Sequence, residues 1–183
     1  MGFGGDELMA AITRSVGTPI IWAVSPTWAP TSSNLSTTPN ALITLASIAN
    51  GAGRQGGKID LGASWKQLYI PVLRVEFQAT PTSGAAATLA WAPSNSATPG
   101  NDNPGGCTGA DGAFSDADLF NQLIIIGALH CDNAASVQQV YLGEFRPPTQ
   151  YGSPVVWNAS GATLDADNIQ QGVILIPITE TIA

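Results

Sequence analysis

Charge is what this chain has least of. Only 10% of its 183 residues are Asp, Glu, Lys or Arg, against about 25% in an ordinary soluble domain. A soluble surface normally uses charge to hold water and keep neighbours apart. A chain that omits it is expected to live packed against other protein. One histidine, His130, and two cysteines, Cys107 and Cys131, are all it has of the most versatile acid-base and nucleophilic groups. No enzymatic activity is expected from so thin a set. Six basic residues against thirteen acidic ones, a net charge of -7, argue against nucleic-acid binding, whose footprint is a patch of Lys and Arg.

Long apolar runs are missing too. The longest, residues 123–129, is far short of the roughly 20 residues that span a bilayer, so no membrane partner is expected. The opening segment MGFGGDELMAAITRS carries two acids and no apolar stretch of signal-peptide length, which points to a chain made and kept soluble in a cytoplasm. Nucleophile-elbow, phosphate-loop, dinucleotide and HExxH patterns are absent. Cys107 and Cys131 lie in no CxxC motif, and both a disulfide and two buried thiols remain open. Asp102, Asp111, Asp116 and Asp118 crowd one loop, but their spacing fits no calcium motif, and Asp beside Asn and Gly is what turns are made of. Asp116 with Glu144 has the composition of a glycosidase pair, and nothing in the sequence places them together. The expectation is therefore no catalytic residue, no metal and no cofactor. His130 reads as a strand-end histidine, bonded in a turn or open to water.

What is present is β-structure. Short apolar or alternating runs recur at 41–46, 58–61, 69–79, 87–92, 122–130, 137–145, 154–158 and 173–181, with Gly- and Pro-rich turns between them. Leu73, Val75 and Phe77 alternate with Arg74, Glu76 and Gln78, the period of a half-buried strand. Residues 122–129 are apolar on both faces, as in a central strand or one whose outer face meets another chain. No crossover helices exist to support a parallel sheet. The fold class is all-β, an antiparallel β-sandwich or jelly roll of about eight strands over residues 39–183. Residues 1–38 read as an N-terminal arm, with a short helix over 6–15 and a strand over 19–24. The Gly-rich segment 50–57 reads as a turn, and the loop over 93–117 as functional or as a compact excursion. The residues expected at an interface are Ile20, Ile21, Trp22 and Trp28 from the arm, since rigid aromatic anchors favour interfaces. Ile124 and Ile126 join them from the doubly apolar strand.

Three stretches carry a resemblance: IANGAGRQGGKIDLG over residues 48–62; AWAPSNSATPGNDNPGG over 90–106 with GADGA over 109–113; and YGSPVVWNASGA over 151–162. Together they resemble a family of tailed-bacteriophage virion structural proteins, over a region from about residue 41 to the C-terminus. The resemblance implies a non-enzymatic β-sandwich component of the particle, most simply a capsid decoration (cement) protein. Its partners would be the major capsid protein and copies of itself, as a homotrimer, on the capsid surface of the virion. The alternative it leaves open is a tail or head fibre component, or an adhesin that binds host glycans. On this reading the uncharged surface is the docking side and the Asp-rich loop the solvent side.

Overall fold

The alternation at residues 73–78 is the simplest way into the structure. In the computed structural model, which describes residues 12–24 and 39–182, Leu73, Val75 and Phe77 are buried in the main core. Arg74 and Glu76 sit half-buried on the other side. The strand is one of eleven: β1 (Ile12–Val16), β2 (Ile20–Trp22), β3 (Ala52–Gln55), β4 (Ile59–Asp60), β5 (Leu68–Glu76), β6 (Ala86–Ser94), β7 (Gly112–Phe114), β8 (Ile124–His130), β9 (Val137–Tyr141), β10 (Tyr151–Ala159) and β11 (Gly172–Ile182). A single-turn helix, α1 (Ala117–Phe120), precedes β8.

One sheet runs β1-β11-β5-β9, with β2 also on β11; the other runs β7-β3-β10-β6-β8, with β4 also on β10. All of these pairings are antiparallel. The chain is thus an all-β sandwich, with eleven strand segments among the described residues rather than about eight. β1 and β2 share one edge of β11, and β3 and β4 share one edge of β10. Taking each such pair as one position and setting β7 aside leaves eight positions. They pair first with last, second with seventh, third with sixth and fourth with fifth, the strand order of a jelly roll.

The space between the sheets is filled by one apolar cluster in which Trp22 meets Trp91 edge-on, centroids 5.9 Å apart at 84°. Phe145 packs on Trp91 from another side at 5.8 Å. A second cluster lies on the outer face of the β6–β10 sheet, where Ala90, Ala92 and Val155 are covered by Cys107, Phe114, Phe120 and Leu123. A third, on the outer face of the other sheet, joins Ile21, Ala23, Val72 and Ile174. Burial on both faces explains why β6, β10 and β11 show no alternation in sequence. Each large side chain so buried contributes about 1.5–3 kcal/mol.

Several expectations change. The helix expected over 6–15 gives way at its end to β1, where Ile12 pairs Ile182 and Val16 pairs Ile178; residues 6–11 lie outside the described residues. A ten-residue helix is marginal in water, whereas the free edge of β11 offers a ladder of main-chain bonds. Residues 20–24 belong to the body of the sandwich, not to an arm, because β2 adds to β11 and Trp22 fills the core. Segment 41–46 forms only an isolated bridge, Trp22 to Ala41. Conversely, the Gly-rich stretch expected as a turn contains β3. Gly53 is needed there: a Cβ would lie 2.7 Å from the Val156 carbonyl oxygen and 2.9 Å from the Trp157 ring.

Gly152 makes room for Trp91 in the same way, since a Cβ there would lie 2.4 Å from the indole. Gly152→Ala is expected to cost about 1–3 kcal/mol by overpacking. Urea unfolding of the single variants and of Gly152→Ala/Trp91→Phe checks this: the double variant should be more stable than the sum of the two single losses predicts.

Candidate functional site

Sandwiches have edges, and edges need cover. On one flank of this one, β8 ends its sheet and β9 ends the other, each with a hydrogen-bonded strand neighbour on one side only. The two come together where Gly127 lies against Leu142; a Cβ on Gly127 would be 2.9 Å from that side chain. Between Asp118 and Asp132, and again between Asp132 and Glu144, the sequence has no Asp, Glu, Lys or Arg. Strands β8 and β9 are therefore uncharged on an acidic chain, with Asp132 the one charged residue in the turn that joins them.

β8 carries a bulge that shapes this surface. Gly127 faces Leu89 and Ile125 faces Ala90, so Ile126 is an extra residue without a cross-strand partner. A bulge bends a strand and re-aims its side chains. Before the bulge, Ile124 and Ile125 lie opposite Trp91 and Ala90 and are 38% and 48% exposed. Tyr141, at the end of β9, is 62% exposed. Beside them, an open cleft of about 480 Å³ runs between the strands, lined by Ala128, His130, Val137 and Gln139 among others. Its floor is held by Gln138, whose Nε2 donates to Asp132 Oδ1 (2.6 Å) and the Ala134 carbonyl (3.0 Å), while its Oε1 accepts from the Asp132 N–H (3.0 Å). Exposed His130 ends β8 at this cleft.

The residues expected at an interface separate on inspection. Ile21 and Trp22 are 1% and 0% exposed and Ile20 packs against the main core, so these three hold the fold rather than face a partner. Trp28 lies outside the described residues. Ile126 is half-buried against the core, and Ile124 alone of the described set is exposed. Ile125 and Tyr141 were missed. Both lay in runs identified as strands, but period-2 reading assigns Ile125 to the face opposite Ile124 and cannot see that β8 and β9 end their sheets.

The Asp-rich loop is a compact excursion in which three of the four carboxylates accept hydrogen bonds. Asp111 is paired with Arg54 through two contacts, Nε to Oδ1 at 2.7 Å and Nη2 to Oδ2 at 2.5 Å, and also accepts from the Thr44 hydroxyl (2.7 Å) and N–H (3.0 Å). Asp116 caps α1, accepting from the N–H groups of Asp118 and Leu119. Asp102 accepts from the Asn95 N–H (2.6 Å). The loop folds around a cation from outside it: Lys58 Nζ donates to Ser94 Oγ (2.8 Å) and to the carbonyls of Ser96 (3.2 Å), Thr98 (3.0 Å) and Asn101 (2.7 Å). Desolvation lowers the Lys58 pKa, with the charge of Asp102 opposing it. Of the two acids with the composition of a glycosidase pair, Asp116 caps α1 and Glu144 lies 3.1 Å from Arg14. Cys107 and Cys131 are free and buried in different clusters, with burial pushing the Cys107 thiol up to about 11. Such thiols are poor nucleophiles.

Asp111 sets a pH dependence. Burial pushes its pKa up, but the hydrogen bonds from Arg54 and Thr44 and the Arg54 charge outweigh burial and leave it lowered. A depressed folded-state value means that the stabilisation is full above the ordinary aspartate range near 4 and is lost as pH falls through the folded value. Asp111→Asn is expected to cost about 1–3 kcal/mol at neutral pH. In chemical denaturation the gap from wild type should narrow below about pH 4.

No protein-family model matches the chain, and no curated protein matches it.

Proposed function

We propose that this chain is a structural component of a bacteriophage particle, a capsid decoration protein that assembles as a homotrimer and reinforces the head shell. The observation that carries the reading is the uncharged flank of β8 and β9 with exposed Ile124, Ile125 and Tyr141. The chain's net charge of -7 opposes contact between copies, and within the flank strands β8 and β9 hold no Asp, Glu, Lys or Arg, with Asp132 in the turn between them. Apolar area buried at such a contact contributes about 25 cal/mol per Å², offset by the cost of association and ordering. Many weak copies on a symmetric lattice then add through avidity.

The resemblance of segments 48–62, 90–113 and 151–162 to virion proteins supports the same reading. Their structural role also fits it, since the first holds β3 and the Lys58 anchor, the second the loop around that anchor, and the third the central strand β10. Jelly rolls recur in capsid and lectin domains, although fold alone never assigns a role. The proposed partners are the major capsid protein and further copies of this chain.

Light scattering of the purified chain should give a trimer mass, and Ile125→Lys/Tyr141→Lys should reduce it to a monomer with unchanged circular dichroism. On isolated heads the chain should be stoichiometric with the shell protein, and heads lacking it should break at lower temperature. Equal robustness of heads with and without it would defeat the reinforcing role.

A further inference from the structure

The sheet that ends in β9 has a second edge at β1. β1 and β2 share the far side of β11, and the β2 part of that edge is covered. The Asn40 and Ala41 N–H groups donate to the Ile21 carbonyl (2.8 and 3.2 Å), and the Ala23 N–H donates to the Ala41 carbonyl (3.2 Å). β1 has no such cover among the described residues. Its five residues are all exposed, Ile12 by 65% and Val16 by 66%. Beyond Ile178, where the β5 pairing stops, β11 has β1 as its one strand neighbour among the described residues. A two-stranded ribbon is marginal in water on its own, and an open edge of this kind is a template for another chain.

Ladder geometry fixes which main-chain groups face outward. Just past β1 the Gly17 N–H donates to the Pro177 carbonyl (2.9 Å). In the antiparallel register, Ser15 and Thr13 therefore turn their N–H and C=O groups to β11, and Ile12, Arg14 and Val16 turn theirs away from it. At the opposite edge the Leu142 N–H donates to the Pro71 carbonyl (2.8 Å). Val140 and Gln138 therefore bond to β5, and Val137, Gln139 and Tyr141 present their N–H and C=O groups outward. Each edge offers alternate residues of one strand.

The two edges fit each other. Strand direction alternates from β1 through β11 and β5 to β9, so β1 of a second copy laid along β9 runs antiparallel and keeps the alternation. Both strands have five residues. At full overlap Ile12 lies opposite Tyr141, Arg14 opposite Gln139 and Val16 opposite Val137. The pleat agrees as well. Val173 and Leu175 of β11 and Leu73 and Val75 of β5 point into the core, so Ile12, Arg14 and Val16, and likewise Val137, Gln139 and Tyr141, share the outer face. Arg14 is the one charged residue of the two strands, and it is already held by Glu180 (2.8 Å) and Glu144 (3.1 Å). Neither edge fits itself as well. β1 on β1 at full overlap sets Arg14 against Arg14, and like charges directly opposite are destabilising; β9 on β9 leaves β1 uncovered.

Contacts in a three-fold ring are heterologous, so each joins two different surfaces. We propose that β1 is the second surface: β1 of each copy adds to β9 of the next. Its Ile12, Arg14 and Val16 exchange main-chain hydrogen bonds with Tyr141, Gln139 and Val137 of that copy, and the sheet runs on from chain to chain. This rests on the reading of the chain as a homotrimer that uses the β8–β9 flank, and it names the strand that covers β9.

Cysteine variants of the full chain test this. Across such a pair the Cα atoms of Arg14 and Gln139 lie about 5.5 Å apart, within disulfide range. On mild oxidation, co-expressed Arg14→Cys and Gln139→Cys should give a covalent dimer on non-reducing gels. Neither should do so alone, nor should the wild type, whose Cys107 and Cys131 are buried. Arg14→Cys/Gln139→Cys in one chain should give a covalent trimer. Val16→Cys with Val137→Cys repeats the test with the Arg14 ion pairs intact. A wild type that is trimeric by light scattering while neither pair forms a mixed dimer overturns the β1–β9 contact and leaves the trimer standing; a monomeric wild type overturns both. A covalent dimer from Arg14→Cys alone places β1 against β1 and overturns the assignment as well.

Discussion

The fold depends on the antiparallel pairing of its last two long strands with β1–β6. β10 holds β3 and β4 on one side and β6 on the other, while β11 holds β1 and β2 on one side and β5 on the other. Neither sheet has a centre until these strands arrive. Loop-closure entropy must be met before the long-range contacts repay it, so the interior has to be strongly apolar once formed. The Trp22–Trp91–Phe145 stack, drawn from the first, middle and last thirds of the chain, supplies that interior.

Scarce charge is used here to tie distant segments together rather than to wet the surface. Arg54 fastens Asp111 and, through it, Thr44; Lys58 gathers four oxygens of the loop after β6; Arg14 bridges β1 to Glu180 of β11 and to Glu144. The Arg14 pairs are exposed, and such pairs contribute little. The Arg54–Asp111 pair and the Lys58 cage are shielded and carry more. Strands β8 and β9 themselves carry no Asp, Glu, Lys or Arg.

Much of this was legible in the sequence where one face of a strand is buried. The alternation at 73–78 gave its strand and its inward residues, and the strands at 122–130 and 137–145 were located within a few residues. Legibility ended where local pattern and tertiary contact disagree. Gly53 looked like a turn residue because glycine usually marks turns, but here it lets the backbone of β3 approach Trp157. Trp22 looked like an anchor for a partner because Pro and Ser follow it, yet it closes the core of its own chain. Glu76 and Asp165 lie 89 positions apart, and no spacing rule links residues at that separation.

Composition and period determined that this chain is an all-β sandwich poor in charge, because alternation and turn residues act over a few neighbouring positions and leave their mark in the sequence. Which strands lie beside which was decided only in three dimensions. So was which isoleucines are exposed, since β8 takes the edge of its sheet only by pairing with β6. The grouping of Glu76 with Asp165 and Asp167 was decided there as well. Each of these is a relation between segments far apart in the chain, and a one-dimensional pattern holds no record of it.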